Sequence, residues 1–183
     1  MKITILNGTP DDSVKTIAPF MQNFLGRLST QGCSVYYHDL RLLNIKPCRG
    51  CFGCWVNTPG ECMFPDDTIQ LRKDTILADL VIFVSPVIMG FTSSLLKKVQ
   101  DKMIPLIHPY IEFVHNECHH QSRYDKYPDI ALILERSEGS DEEDYRIIHD
   151  IYQRLSINMK SVFRFLSFTD QNIDKIIYEI NSY

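Results

Sequence analysis

Four cysteines within fifteen residues are the side chains of this sequence with the clearest chemistry. Cys48, Cys51, Cys54 and Cys62 follow the spacing C-x2-C-x2-C-x7-C. Thiolates with two residues between them can converge on one point from a turning backbone, and iron–sulfur clusters and zinc sites use that geometry. The longer gap before Cys62 leaves the alternative that some thiols are free and only pack a loop. The run therefore predicts either a redox or metal centre or a structural loop.

A second group of ligand-type side chains lies in a long connector at residues 105–128. His115, Cys118, His119 and His120 have the chemistry of transition-metal ligands. The alternative is a polar surface turn after a short helix, whose aromatic side chains pack on a neighbour. Cys118 beside two histidines is also the nearest approach to a Cys-His nucleophile, but adjacency in sequence does not bring side chains together. We predict no catalytic side chain.

Composition and charge exclude several classes of protein. The chain has 183 residues and a formal net charge of −4, with scattered basic residues, which argues against nucleic-acid binding. No apolar run approaches the roughly 18 residues of a membrane span, and the apolar start of the chain is too short for a signal peptide. Six cysteines without an export signal indicate a reducing compartment, so we predict a cytoplasmic protein.

Five strand-like segments alternate with five helical segments along the chain. The strands are predicted at residues 2–7, 33–40, 80–85, 129–135 and 161–168, and the helices at 13–28, 66–78, 92–103, 141–157 and 170–181. The run L-V-I-F-V-S at 80–85 is typical of a strand buried on both faces. This order predicts an α/β fold with a parallel sheet, right-handed crossovers and helices on both faces.

Four loops follow the carboxyl ends of the predicted strands. In such sheets ligands bind outside these ends, near the switch in strand order. The loops lie at residues 7–13, 40–65, 85–91 and 135–141. The cysteine run therefore shares one edge of the sheet with the candidate ligand loops, which favours a redox site.

Three stretches carry further motifs: I-L-N-G-T-P-D-D-S-V-K-T at 5–16, P-C-R-G-C-F-G-C-W-V-N-T-P-G-E-C-M-F-P-D-D at 47–67, and A-D-L-V-I-F-V-S-P-V-I-M-G-F-T-S-S-L-L-K-K-V-Q-D-K at 78–102. They resemble the flavodoxin-like NADPH-dependent FMN reductases and, within them, the iron–sulfur flavoproteins. The resemblance covers residues 1–104 by motif and 129–180 by element order. It implies one three-layer, doubly wound flavodoxin-like domain over 1–183, with a five-stranded parallel sheet of order 2-1-3-4-5, a cysteine loop at 44–65 and an insert at 105–128.

The resemblance implies that the first stretch binds the phosphate of FMN through Gly8, Thr9, Ser13, Lys15 and Thr16. Glycine permits a sharp turn, and the three hydroxyl groups are donors beside a helix N-terminus that favours an anion. The alternative for Ser13 is plain helix capping. The chain departs from the family at Asp11 and Asp12, where basic residues are usual and where carboxylates would repel a phosphate.

The resemblance also places the flavin ring against residues 85–90, namely Ser85, Pro86, Val87, Ile88, Met89 and Gly90. Backbone amides of this turn would meet the polar edge of the ring, and its apolar side chains would contact the ring face. Ile88 stands where relatives often have an aromatic residue, so Trp55 or Phe91 would have to stack instead. Trp55 could equally anchor its loop. The loop at 135–141 replaces a glycine-rich segment of the family.

These features predict an NAD(P)H-dependent FMN-binding oxidoreductase, a flavin reductase or a quinone or other small-acceptor reductase, with hydride transfer through bound FMN. Its partners would be FMN, a nicotinamide cofactor and a small-molecule or protein electron acceptor, with no nucleic acid and no membrane. The family also implies a homodimer or homotetramer, with the 105–128 insert as a subunit contact.

Two alternatives remain open. One is an iron–sulfur flavoprotein that passes single electrons between FMN and a 4Fe–4S cluster on Cys48, Cys51, Cys54 and Cys62, as the resemblance implies. The other is a cofactor-free flavodoxin-like binding or scaffold protein, which the departures from the family motifs would favour.

Overall fold

The computed structural model describes residues 1–11 and 16–182. Its strands are β1 (Lys2–Asn7), β2 (Ser34–Asp39), β3 (Leu80–Ile88), β4 (Phe91–Thr92), β5 (Ile107–Val114), β6 (Glu117–Ser122), β7 (Asp129–Glu135) and β8 (Phe163–Phe168). Its helices are α1 (Ile17–Thr30), α2 (Gly53–Val56), α3 (Thr68–Leu77), α4 (Ser94–Asp101), α5 (Glu142–Asn158) and α6 (Ile173–Asn181). Within the described residues, none of the helices is long and apolar enough to cross a bilayer.

The main sheet confirms the predicted fold and strand order. Its long strands are parallel and lie in the order β2-β1-β3-β7-β8. Since β7 and β8 are the fourth and fifth predicted strands, this is the order 2-1-3-4-5. The chain leaves β1 toward β2 on one side and returns to β3 on the other side. The switch in strand order therefore lies between β1 and β3, where a ligand is expected.

Strand β3 is buried on both faces and connects two hydrophobic cores. Ile82 packs in the core formed with α1 and α6, and its neighbour Phe83 packs in the core that includes residues of α3, α4 and α5. Both side chains are at most 1% exposed. The alternation of side chains along a strand explains how one apolar run serves both layers of helices.

Helix α1 begins at Ile17, later than the predicted start at about residue 13. Pro19 is its third residue, where the missing N–H has no partner within the helix in any case. The residue before α1, Thr16, makes no side-chain capping hydrogen bond to the helix.

The insert at residues 105–128 forms a β-hairpin, which the sequence pattern did not predict. Strands β5 and β6 pair antiparallel, and the turn contains His115 and Asn116, both with positive φ. The hairpin is tied to the domain by the backbone N–H of His120, which donates to Oδ1 of Asn158 at 2.9 Å. Arg123 adds a hydrogen bond to the carbonyl of Pro105.

Candidate functional site

The first loop of the predicted site begins at Gly8, directly after β1. Its N–H donates to the carbonyl oxygen of Val84 in β3 at 2.8 Å. A Cβ atom on this residue would lie 2.5 Å from Cγ of Leu96 and 2.7 Å from Oγ of Ser93. Such contacts are far closer than van der Waals distance, so the start of α4 can approach this turn only because residue 8 is glycine.

Thr9 is buried and is part of the internal hydrogen bonding of this loop. Its hydroxyl donates to Oδ1 of Asn7 at 2.7 Å, and its N–H donates to the same atom at 3.1 Å. Asn7 in turn donates from Nδ2 to the hydroxyl oxygen of Tyr37 at 2.9 Å. The predicted phosphate ligand Thr9 therefore has its proton directed to a neighbour, and this network fixes the start of the loop.

Thr16 closes the same loop and contacts a carboxylate from a distant strand. Its Oγ1 donates to Oε1 of Glu135 at 2.6 Å. Glu135 is the last residue of β7, and its Oε2 is buried without a hydrogen-bond partner in the described part of the chain. Sequence reasoning placed Thr16 at the site but missed Glu135. The signal available was an acidic residue at the carboxyl end of a buried strand.

Two of the predicted phosphate ligands, Ser13 and Lys15, lie outside the described residues, as does Asp12. Asp11 is exposed and lines a groove between α1 and β2 together with Thr9. The described part of the loop thus brings Gly8, Thr9 and Thr16 to one edge of the sheet.

Residues 85–90, the predicted wall for the flavin ring, form the end of β3 and a tight turn into β4. Ser85 is fully buried, and its Oγ accepts the N–H of Ser93 at 2.9 Å. Pro86 and Val87 are also buried. Ile88 is 41% exposed and Met89 is 99% exposed, so these two side chains are the ones that the wall presents to solvent.

The turn at Met89 and Gly90 has positive φ at both residues, 50° and 74°. Two positive φ values are the geometry of a two-residue hairpin turn whose twist suits the flanking strands. A Cβ on Gly90 would lie 2.6 Å from Oδ1 of Asp144. Asp144 is part of the capping box with which Asp141 begins α5. The turn therefore packs against the N-terminus of α5.

Arg136 follows Glu135 directly and contacts residues at the end of β8 and the start of α5. Its guanidinium lies 3.6 Å from the ring centroid of Phe168 and 4.8 Å from that of Tyr145. It also pairs with Asp170 at 3.4 Å and Glu142 at 3.5 Å. Its charge is therefore balanced at the end of β8 and the start of α5.

The four cysteines of the cysteine loop (residues 44–65) line one pocket. Cys54 is buried, Cys62 is half-buried, and Cys48 and Cys51 are exposed; all are free thiols. Burial raises the pKa of Cys54, and the neighbouring thiols, Cys62 first among them, raise that pKa further. The fold therefore places all four thiols around one pocket.

Among the described residues, no three His, Cys, Asp or Glu side chains are arranged to hold a metal ion. For the insert this follows from the hairpin, where Cys118 and His119 are successive residues of β6 and point to opposite faces. For the cysteine loop, this finding applies to a site for a single metal ion. A 4Fe–4S cluster is a larger body that spreads its thiolates more widely, so the cluster ligands remain a prediction.

A buried ion pair anchors the end of the cysteine loop. Nζ of Lys102 lies 2.6 Å from Oδ2 of Asp66, and the two side chains are 2% and 0% exposed. Lys102 also donates to the carbonyl oxygen of Phe64 at 3.2 Å. Burial opposes ionisation of Asp66, but hydrogen bonds from Lys102, from Thr68 and from the backbone N–H of Lys46 lower its pKa to about 2.

Trp55 anchors the middle of the cysteine loop to the hairpin. Its indole N–H donates to the carbonyl oxygens of Ile104 at 3.1 Å and Ile107 at 2.9 Å. Its ring stacks on Phe52 with centroids 5.3 Å apart and lies 5.0 Å from the ring of His120. The loop is thus held on both sides of the pocket that the four thiols line.

Comparison with known proteins gives one family and one fold. The sequence profile of the NADPH-dependent FMN reductase family matches residues 1–115. An iron–sulfur flavoprotein of Methanocaldococcus jannaschii is 29% identical over 106 residues, which are 58% of this chain and 53% of that protein. The chain therefore spans about half the length of this curated relative.

Two solved structures illustrate the shared fold. The NAD(P)H:quinone oxidoreductase of Methanothermobacter marburgensis has a TM-score of 0.65 at 16% identity, covering 99% of this chain and 90% of that chain. An FMN-dependent NADH-azoreductase of Bacillus anthracis, in complex with FMN, has a TM-score of 0.61 at 10% identity, covering 100% of this chain and 95% of that chain. At these identities the likeness establishes the architecture alone.

Proposed function

Since the chain belongs to the NADPH-dependent FMN reductase family, we propose that it binds FMN and passes electrons from NAD(P)H through the flavin to a small acceptor. The observation that carries this proposal is the edge at the switch in strand order. There the turn at Gly8, the N-terminal end of α1 and the exposed tip of the β3–β4 hairpin come from adjacent strands. Such an edge is where doubly wound sheets bind their ligands.

The residues at this edge fit the parts of FMN. Among the described residues, the first turn of α1 contains no acidic side chain and Thr16 makes no capping hydrogen bond, so the start of this helix favours an anion such as the phosphate. Ile88 and Met89 offer exposed apolar contact for the ring. Ser13 and Lys15 would complete the phosphate site.

Bound FMN would supply the hydride chemistry, and the protein would supply orientation and electrostatics. In this proposal the β1 loop holds the phosphate, the hairpin tip supports one side of the ring, and no side chain acts as an acid or base. The quinone reductase and azoreductase named above motivate quinones, azo compounds and free flavin as acceptors to be tried first.

The first experiment is a spectrum of the anaerobically purified protein, followed by titration with FMN. We expect flavin absorbance bands and FMN-dependent oxidation of NADPH or NADH in the presence of a quinone. Omitting FMN from the flavin-free protein is the control and should abolish turnover. A colourless protein that does not bind FMN would contradict the proposal and favour the cofactor-free scaffold instead.

A second candidate function is electron transfer through a 4Fe–4S cluster and FMN. It is supported by the four thiols that line one pocket and by the iron–sulfur flavoprotein among the relatives. Cys48, Cys51, Cys54 and Cys62 would be the ligands. The cluster would exchange single electrons with the flavin.

We expect the anaerobically purified protein to contain about four iron and four sulfide per chain if this candidate is correct. Cys54→Ser removes the buried ligand and should reduce the iron content to a small fraction of that value. Cys118→Ser, an exposed cysteine on the hairpin, is the matched control and should retain the iron. Iron and sulfide assays that find no metal in the unmodified protein would reject the cluster.

The proposed assembly is a homodimer or homotetramer in the cytoplasm. The support for an oligomer is the β5–β6 hairpin, on which Tyr110, Ile111 and Phe113 are 64%, 52% and 80% exposed. Large apolar side chains grouped on one ribbon are typical of surfaces that another subunit covers.

A further inference from the structure

The charged side chains in the pocket lined by the four cysteines are all of one sign. Arg49 and Lys102 line this pocket, and none of its described lining residues carries a carboxylate. The other lining residues besides the cysteines are glycine, proline and apolar residues. Cysteine binds a metal centre as the thiolate anion, so the surrounding positive charge fits an iron–sulfur cluster on this donor set.

We propose that Arg49 raises the reduction potential of a 4Fe–4S cluster held by the four thiols and so favours electron transfer from the flavin to the cluster. This inference rests on the second candidate function. On reduction the cluster takes up one electron, which the flavin gives up, and the charge of the cluster becomes more negative by one. A permanent positive charge beside the cluster stabilises that more negative state.

The other cation of the pocket, Lys102, has its charge compensated. Its Nζ lies 2.6 Å from Oδ2 of Asp66, and both side chains are buried. Asp66 is not among the lining residues, so the pair presents its positive end to the thiols. Because the pair as a whole is neutral, its effect on the cluster is weaker than that of a single cation.

Arg49 supplies the uncompensated charge, and an aromatic ring holds it at the pocket. Its guanidinium carbon lies 4.3 Å from the ring centroid of Phe64, which also lines the pocket. In the described part of the chain Arg49 forms no ion pair. The carbonyl oxygen of Phe64 accepts a hydrogen bond from Lys102, which fixes the backbone under the ring. Arginine keeps its charge in proteins, so this contribution is permanent.

The test measures the reduction potential of the cluster in the anaerobically purified protein, from its electron paramagnetic resonance signal at a series of applied potentials. The variants are Arg49→Gln, which removes the charge, and Arg49→Lys, which keeps it. Lys46→Gln is the matched control, because Lys46 is an exposed cation near the same cysteines that does not line the pocket. Iron content and thermal melting check that each variant holds the cluster and folds.

We expect Arg49→Gln to shift the one-electron equilibrium about tenfold toward the oxidised cluster, a potential lower by about 59 mV. Arg49→Lys and Lys46→Gln should each stay within about twofold of wild type. The difference between wild type and Arg49→Gln should shrink in about 1 M KCl, because salt screens an exposed charge. If Arg49→Gln does not take up iron, Phe64→Leu, which removes the ring under the guanidinium, should lower the potential in the same direction.

Two results would overturn this inference and leave the second candidate function intact. One is a full iron content with an unchanged potential in Arg49→Gln. The other is an equal fall of the potential in Arg49→Gln and Arg49→Lys that salt does not alter, which would mean that the shape of the side chain matters and its charge does not. If the unmodified protein contains no iron, the second candidate function falls and this inference falls with it.

Discussion

Replacing Asp66 by asparagine is expected to lower the free energy of unfolding by about 3–5 kcal/mol, the usual effect of breaking a buried ion pair from one side. The reason is that Lys102 would keep its charge in a place where it is 2% exposed. Asp66 also accepts backbone hydrogen bonds from Lys46 and Thr68, which a neutral amide would hold less strongly.

Urea denaturation of the purified variants measures this effect. Asp125→Asn, at an exposed carboxylate, is the matched control and should change stability by less than about 0.5 kcal/mol. The double variant Asp66→Asn with Lys102→Met should be less destabilised than the sum of the two single variants, because no unpaired charge remains. Equal stability of Asp66→Asn and wild type would show that the pair contributes nothing.

The Asp66–Lys102 pair also predicts that the free energy of unfolding falls at acid pH. The folded-state pKa of Asp66 is about 2, below its ordinary value of 3.8. A lowered pKa means that the stabilisation is complete above about pH 4 and is lost as the pH falls toward 2. The part lost is about 2 kcal/mol. Asp66→Asn should therefore show a flatter fall of stability over this acid range than wild type.

Gly8→Ala is the substitution with the largest expected effect on the site itself. Its Cβ would lie 2.5 Å from Cγ of Leu96, so the β1 loop and α4 would have to separate. We expect a loss of about 1–3 kcal/mol in stability, as for other overpacked cores. We also expect FMN affinity to fall by at least about tenfold, because loop displacement of this kind disturbs a preorganised site.

Gly26→Ala is the matched control for this experiment. Residue 26 lies in α1, and a Cβ there would meet nothing within 4 Å. Alanine should stabilise the helix by about 0.5–1 kcal/mol and leave FMN binding unchanged. The prediction is confirmed if thermal melting shows lower stability for Gly8→Ala and higher stability for Gly26→Ala, and if flavin titration shows weaker FMN binding for Gly8→Ala alone. A Gly8→Ala protein that binds FMN like wild type contradicts it.

The main sheet could be predicted from sequence because its strands carry unambiguous patterns. The apolar run at 80–85 indicated a buried central strand, and β3 is that strand. Its extension to Ile88 was missed because Met89-Gly90 is not a typical hairpin turn sequence. The hairpin at 107–122 was missed because its strands mix histidine, proline and acidic residues without strict alternation.

The candidate site, like the sheet, could be predicted from the sequence only in part. Local features such as Gly8 and the cysteine spacing were visible because they lie within one short stretch. The contact of Thr16 with Glu135 and the pair of Asp66 with Lys102 join residues that the fold brings together from 119 and 36 positions away. No periodicity encodes such contacts, because they depend on which strand ends and helix ends meet.

The anchors of the cysteine loop do not involve its sulfurs. The Asp66–Lys102 pair holds the end of the loop, and the hydrogen bonds of Trp55 hold its middle. Folding of this segment is therefore separable from whatever the thiols bind. During evolution, a lineage could exchange its cysteines one at a time, and gain or lose the chemistry of the loop, while the surrounding backbone kept its shape.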